Sequence, residues 1–227
     1  MASQELRGEE TLVEQVLGLA RPGELEDARA EFHARGGAFE PGEPFYEERI
    51  RAFLDFFAFE WGAPRALLLR RALAAGLLDA ELATALAAHA RSLYRAVRID
   101  AEGIELECLL GDARFVVSPS DGPLRSAEGA AARLREGDVL DGRLAWLAGA
   151  VRLLPGPVFH PREAHAAMLA LVRDARAADR PRTLVLDGLM RMRMRFDRFV
   201  SIDARHVYRF DALERREILA APWARHG

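Results

Sequence analysis

The sequence predicts an α+β protein: an N-terminal helical bundle, a small antiparallel five-stranded β-barrel of the SH3-like or OB-like kind, and C-terminal helices. Three observations predict it. Apolar residues recur at helical spacing as far as about Ala90. From Leu93 to Leu154 they alternate at period two between turn signals. From His160 the helical period returns. The expected units are a helical domain over 1–91, the barrel over 92–159, and a helical segment over 160–227 packed on the rest.

Thr11-Leu12-Val13-Glu14 fits a capping box and opens the first helix, which Pro22-Gly23 stops. A second helix runs from about Glu24 to Gly36-Gly37, where a left-handed C-cap is available. Pro44 suits the first turn of a third helix, followed by Glu47 and Glu48. That helix contains Phe53–Trp61, FLDFFAFEW, in which four phenylalanines and a tryptophan fall within nine residues. Ile50, Phe53, Leu54, Phe57 and Trp61 form one stripe, and Phe56 and Phe59 lie outside it. A helix apolar nearly all round, broken only by Asp55 and Glu60, belongs in the middle of a domain or at an interface. Pro64 starts a further helix through Ala75, and Asp79 caps one running to about Ala90, with His89 as a satisfied, partly buried side chain.

The strands follow. Leu93–Ile99 alternates, Asp100–Gly103 turns, and Ile104, Leu106, Cys108 and Leu110 share one face opposite Glu105 and Glu107. Gly111-Asp112 makes a hairpin into Ala113–Val117. Ser118–Arg133 reads as a long excursion with one helical turn near Ala130. Strands resume at Asp138, turn at Ala148-Gly149, and end at Pro155-Gly156-Pro157, with Gly142 marking a bulge or bend. His160-Pro161 opens a helix to about Ala178. Over 189–200, Met190, Met192 and Met194 alternate with arginines as a strand would, but Val185, Leu189, Met192, Phe196 and Val200 fit a helix, and Met, Leu and Arg favour one. A last short helix is expected over Ala212–Ala220.

The 227 residues are 50% hydrophobic and 30% charged, a composition that folds and stays in solution. The net charge of -3 argues against wholesale electrostatic binding to nucleic acid. The charge is uneven: -6 over 1–92, -2 over 93–160 and +5 over 161–227. Every long-chain cation is arginine, which fits the coding bias of a GC-rich bacterial genome and excludes lysine Schiff-base or general-base chemistry. Cys108 is the single cysteine, so no intramolecular disulfide forms and a Cys-based zinc site is excluded. It sits in an apolar alternation as a core thiol. The polar, acidic MASQELRGEE lacks the apolar stretch of a signal peptide, and no run approaches a membrane span. A cytoplasmic protein without membrane contact is expected.

The pattern F-x-x-F-F-x-F-E at Phe53–Glu60 resembles the F-x-x-W-F-x-F-D helix of a group of uncharacterised bacterial proteins, where further helices and a small β-barrel follow it. Phe56 stands where that group prefers Trp, and Glu60 where it prefers Asp. The resemblance covers Glu48–Trp61, Ser92–Leu110 and Gly137–Phe159. It implies the helix-plus-barrel architecture and no activity.

Catalytic, cofactor and metal signatures do not emerge. His160 and His165 are five apart, which splits them around a helix. Glu31-Phe32-His33 and Glu163-Ala164-His165 lack the E-x-x-H spacing of di-iron bundles. No G-x-S-x-G elbow and no phosphate-cradling glycine loop is present. Gly137–Leu144 is similar to the G-D-V-x-x-G-x-V opening of RNA-binding barrels, but no aromatic-plus-arginine interleave accompanies it. The candidate partner-binding residues are Arg191, Arg193, Arg195 and Arg198, expected to face outward from a helix docked by its apolar side. The reading is a non-enzymatic interaction or scaffold protein with an unknown protein partner. The alternative is an RNA- or DNA-binding module using the barrel and the Arg191–Arg198 segment.

Overall fold

The structure, a computed structural model, describes residues 14–62, 67–118, 134–154, 156–199 and 202–208. The capping box at Thr11, the excursion after Ser118 and the helix over 212–220 fall wholly or mostly outside these residues. Residues 14–17 are helical. Helix α1 spans Glu24–Gly36, α2 Tyr46–Phe59, α3 Leu67–Ala74 and α4 Ala80–Ala87. The strands are β1 Ala90–Ile99, β2 Ile104–Cys108, β3 Arg114–Val117, β4 Val139–Leu147, β5 Ala150–Leu153 and the two-residue β6 Val158–Phe159. A 3-10 turn over Arg162–Ala164 leads into α5 His165–Ala177, then α6 Arg182–Arg198 and α7 Ala204–Val207.

The five long strands form an antiparallel sheet in the order β3-β2-β1-β4-β5, with β6 added to β4. The sheet curls until β3 and β5 approach each other, yet among the described residues the ladder closes no hydrogen-bonded ring. The result is a half-barrel rather than a closed barrel. Its concave side holds Tyr94, Ala96, Ile104, Leu106, Cys108, Val117, Leu140, Leu144 and Leu153. These are the inward positions of a period-two pattern, so the alternation sets the register.

Several expected details move. The α2 helix begins at Tyr46, and Pro44 precedes its cap. Phe45 is the cap residue, held at φ 60°, an unusual left-handed conformation for a bulky side chain. Gly37 has φ 95° and ψ 147°, an extended glycine-only geometry instead of a left-handed helical cap. Strand β2 stops at Cys108, so Leu110 does not share its face, and the turn sends Leu109 into the core beside α5 and α6. No register shift occurs at Gly142. The sheet's irregularity lies in the β1–β2 pairing, between Ala96 and Arg98. Gly142 instead sits on β4 between the residues that pair β6 and those that pair β5, where a Cβ would press Leu153 at 3.1 Å and Leu140 at 3.2 Å.

Two further apolar cores flank the convex side of the sheet. One gathers Phe32, Phe39, Phe53, Phe56, Phe57, Phe59, Leu68, Leu69 and Leu86, and takes in Ala145 of β4. Phe53 and Phe57 stack nearly parallel at 6.2 Å, and Phe32 meets Phe53 edge-on at 5.6 Å. The aromatic helix is thus the centre of this core, with residues 55–59 all buried. The other core joins α5 and α6 to Leu93 of β1 and Val139 of β4. Helix α6 serves both: Met192 lies in the second core and Met194 in the first. Buried on more than one side, it has the sequence of neither a simple amphipathic helix nor a strand.

Candidate functional site: a buried ionic seam

Every residue of β4 from Val139 to Ala145 is buried. On its convex face Val139 enters the second core and Ala145 the first. Between them stand Asp141 and Arg143, at 5% and 3% exposure. Charged groups at such positions must be paired, because an isolated charge in a medium of low dielectric is too costly to keep.

The sheet pairs them only in part. Register places Arg143 directly opposite Arg91 of β1, and like charges across a ladder repel. Asp141, diagonal to Arg91 on the neighbouring strand, supplies one carboxylate, and the others come from the helices. Arg91 reaches Asp141 through Nε at 3.2 Å and Nη2 at 2.8 Å, and meets Asp187 of α6 at 3.4 Å. Asp187 also contacts Arg35 of α1 at 3.4 Å. Arg143 donates to Glu60, at the end of α2, through Nε and Nη2, both at 2.6 Å. Its Nη1 lies 3.7 Å from Asp55 of the same helix. His89 closes the far side, with Nε2 3.7 Å from Glu60 and Nδ1 2.7 Å from the Leu86 carbonyl. The network ties α1, α2, α6 and the β1 entry to two strands.

Burial and neighbours divide the two α2 carboxyls. Burial alone would raise Glu60, but Arg143, with His89 and Arg91 close by, holds it far below the usual carboxylate range. Burial pushes Asp55 up to about 7, Arg143 opposes the rise, and Glu60 adds to it. Asp55 Oδ2 is buried and has no hydrogen-bond partner among the described residues. Burial also opposes the charge on Arg91, yet Asp141, Glu60 and Asp187 together raise its pKa above the ordinary value.

A second buried group lies at the other end of α6. Arg193 donates to Asp197 at 2.7 Å and to the Phe159 carbonyl, and its guanidinium sits 4.3 Å from the centre of the Phe45 ring. Arg49, buried on α2, approaches Asp197 at 4.0 Å and donates to Met190. His160 Nδ1 is 3.0 Å from the Tyr208 hydroxyl, while burial, with Arg193 and Arg49 nearby, holds the imidazole well below its usual pKa.

The arginines expected to face outward on α6 are distributed differently. Arg193 is inside. Arg191 donates to the Arg35 carbonyl at 2.6 Å, and Arg198 to Glu43 at 2.8 Å and to the Ala38 carbonyl. Arg195 is half-buried, so only Arg198 of the four is exposed. The basic tail is thus largely turned toward the N-terminal helices. The physical reason is that α6 is packed on two cores and has no fully solvated face. Exposed apolar side chains do occur at this end: Phe45, Phe199 and Ile202 are 43%, 51% and 38% exposed.

The seam was missed in the sequence because its members are scattered, with Glu60 and Arg143 83 residues apart. The available signal was polar residues interrupting elements that must be buried: Asp55 and Glu60 in an all-round apolar helix, Asp141 and Arg143 in a central strand. Among the described residues, no group of three or more His, Cys, Asp or Glu side chains could hold a metal ion, and no helix is long and apolar enough to cross a membrane. Compared with protein-family models, curated proteins and solved structures, the chain matches none.

Proposed function

We propose that this chain is a non-enzymatic cytoplasmic interaction or scaffold protein, whose partner is another protein. The observation that carries the reading is the surface at the end of α6. Phe45 flanks the Arg193 guanidinium, and Phe199 and Ile202 follow at the helix end, all three exposed, beside the Arg198–Glu43 pair. Apolar side chains rimmed by paired charges are the composition of a protein–protein contact. The strained backbone of Phe45 adds to it, because such strain is retained where a side chain must be presented in one place. The densest groups of ionisable side chains are engaged inside the molecule, which fits a framework better than a reactive cleft. We read the curled sheet as an SH3-like or OB-like barrel with an N-terminal helical bundle docked on it, on the strength of the close approach of β3 and β5.

The test is affinity purification with in-cell crosslinking, comparing wild type with Phe45→Ser plus Phe199→Ser. The expected outcome is loss of one specific partner with the melting curve little changed. An unchanged set of crosslinked proteins at unchanged stability would overturn the reading.

A further inference from the structure

Arg91 and Arg143 stand opposite each other and are surrounded by four carboxyl groups: Asp141, Asp187, Glu60 and Asp55. Asp55 is the one left over. Glu60 accepts two close N–H donors from Arg143, whereas among the described residues Asp55 receives a 3.7 Å approach and no hydrogen bond to Oδ2. The turn between β5 and β6 closes over this atom. At Gly156, φ is +78°, and a Cβ would lie 2.8 Å from Asp55 Oδ2 and 3.4 Å from the Ala52 nitrogen. A bare carboxylate here, 2% exposed, would have no hydrogen bond to Oδ2 among the described residues and would share the Arg143 cation with a better-placed rival.

We propose that Asp55, Arg143, Glu60 and His89 form a proton-operated latch between the aromatic helix α2 and strand β4, shut while Asp55 keeps its proton and eased open at the Gly156 turn when the proton leaves. The charged groups around Asp55 are Arg143 from β4 and Glu60 from its own helix. Behind Glu60 lie His89 and Arg91, with Asp141 and Asp187 behind Arg91. Arg51, one turn earlier on α2, is exposed, and the Gly156 turn brings no charge.

The sign follows from linkage. Opening returns Asp55 to water and to its usual acidity near 3.8, whereas the closed form keeps its proton up to about pH 7. Closing therefore takes up a proton between those values. The latch is tightest at low pH and loosens as pH rises through the window, by up to about tenfold in the opening constant per pH unit, then levels off.

The experiment is hydrogen exchange of the full chain read by mass spectrometry at pH 5, 6, 7 and 8. Rates in peptides covering residues 50–60 and 139–159 are divided by the intrinsic rates at each pH, so that they report opening. The expected result is a rise of at least about tenfold between pH 5 and 7, levelling above, and a flat profile for Asp55→Asn. Glu60→Gln frees the charge of Arg143 for Asp55 and moves the levelling point to lower pH. A flat wild-type profile, an Asp55→Asn profile that still rises, or a Glu60→Gln levelling point that stays in place would each overturn the proposal. If Asp55→Asn fails to fold, the wild-type and Glu60→Gln profiles decide it alone.

Discussion

Arg91 and Arg95 lie four residues apart on the same face of β1, and they live in different physical worlds. Arg95 stands opposite Glu107 of β2, which in turn stands opposite Arg114 of β3. With Arg98 opposite Glu105, this makes a ladder of alternating charge on the open part of the sheet. Register supplies most of the partners there, with Asp100 of the turn meeting Arg98 at 3.0 Å. Arg91 stands opposite Arg143, so register supplies repulsion, and neither side chain can turn to water. Asp141 of β4 serves Arg91, and the remaining partners must be brought by α2 and α6. The difference teaches how the helices are fixed on the sheet. Apolar cores on either side would tolerate sliding, whereas two guanidinium groups that need Asp141, Asp187 and Glu60 accept one arrangement. Buried ion pairs add little net stability but penalise alternatives heavily, and here they lie between the two convex cores.

The comparison breaks most readily at Arg143. Arg143→Ala leaves Asp55 and Glu60 buried without their cation, and the expected loss is about 3–5 kcal/mol in urea denaturation at pH 7. A loss below 1 kcal/mol would place the seam among the solvated pairs. Next comes the turn that covers Asp55. Gly156→Ala combines a positive φ with a Cβ directed at Oδ2, and about 1–3 kcal/mol should be lost. Asp55→Ala in the same chain removes the clashing atom and should recover part of that loss, leaving only the backbone term. Smallest is the ladder. Arg114→Ala, at 60% side-chain exposure, should change stability by about 0–1 kcal/mol, an effect that shrinks further in high salt.

Much of the framework could be read from the chain. Asp79 caps α4 as its type and position required, with its side chain accepting from the Leu82 N–H at 2.7 Å. Cys108 is a core thiol, 5% exposed and 3.2 Å from the Ser92 hydroxyl. The helical choice over residues 189–198 holds because good helix formers outweighed the alternation of Met and Arg. The alternation was real, but it records two cores on two sides of α6 rather than two faces of a strand. That is also why Arg191 and Arg195 are half-buried instead of facing outward: a single apolar stripe leaves the opposite face to solvent only when one core is present. The ionic seam could not be read because the partners of Arg91 and Arg143 lie 50 to 96 residues away and depend on strand register, which sets Arg91 against Arg143. The surface at Phe45 escaped for a local reason, since Pro44 suggested an earlier helix start and hid the strained cap.

The central claim is that one carboxyl group of the seam carries a proton near neutrality while its neighbours satisfy the arginines. The most direct measurement is isotope-edited infrared spectroscopy of protein labelled with carboxyl-13C aspartate, recorded as wild type minus Asp55→Asn from pH 5 to 9. The account predicts a protonated carboxylic acid band for Asp55 at pH 5–6 that gives way to the carboxylate band with a midpoint near pH 7. A carboxylate band already complete at pH 5 would contradict it, and would make Asp55 an ordinary partner of Arg143.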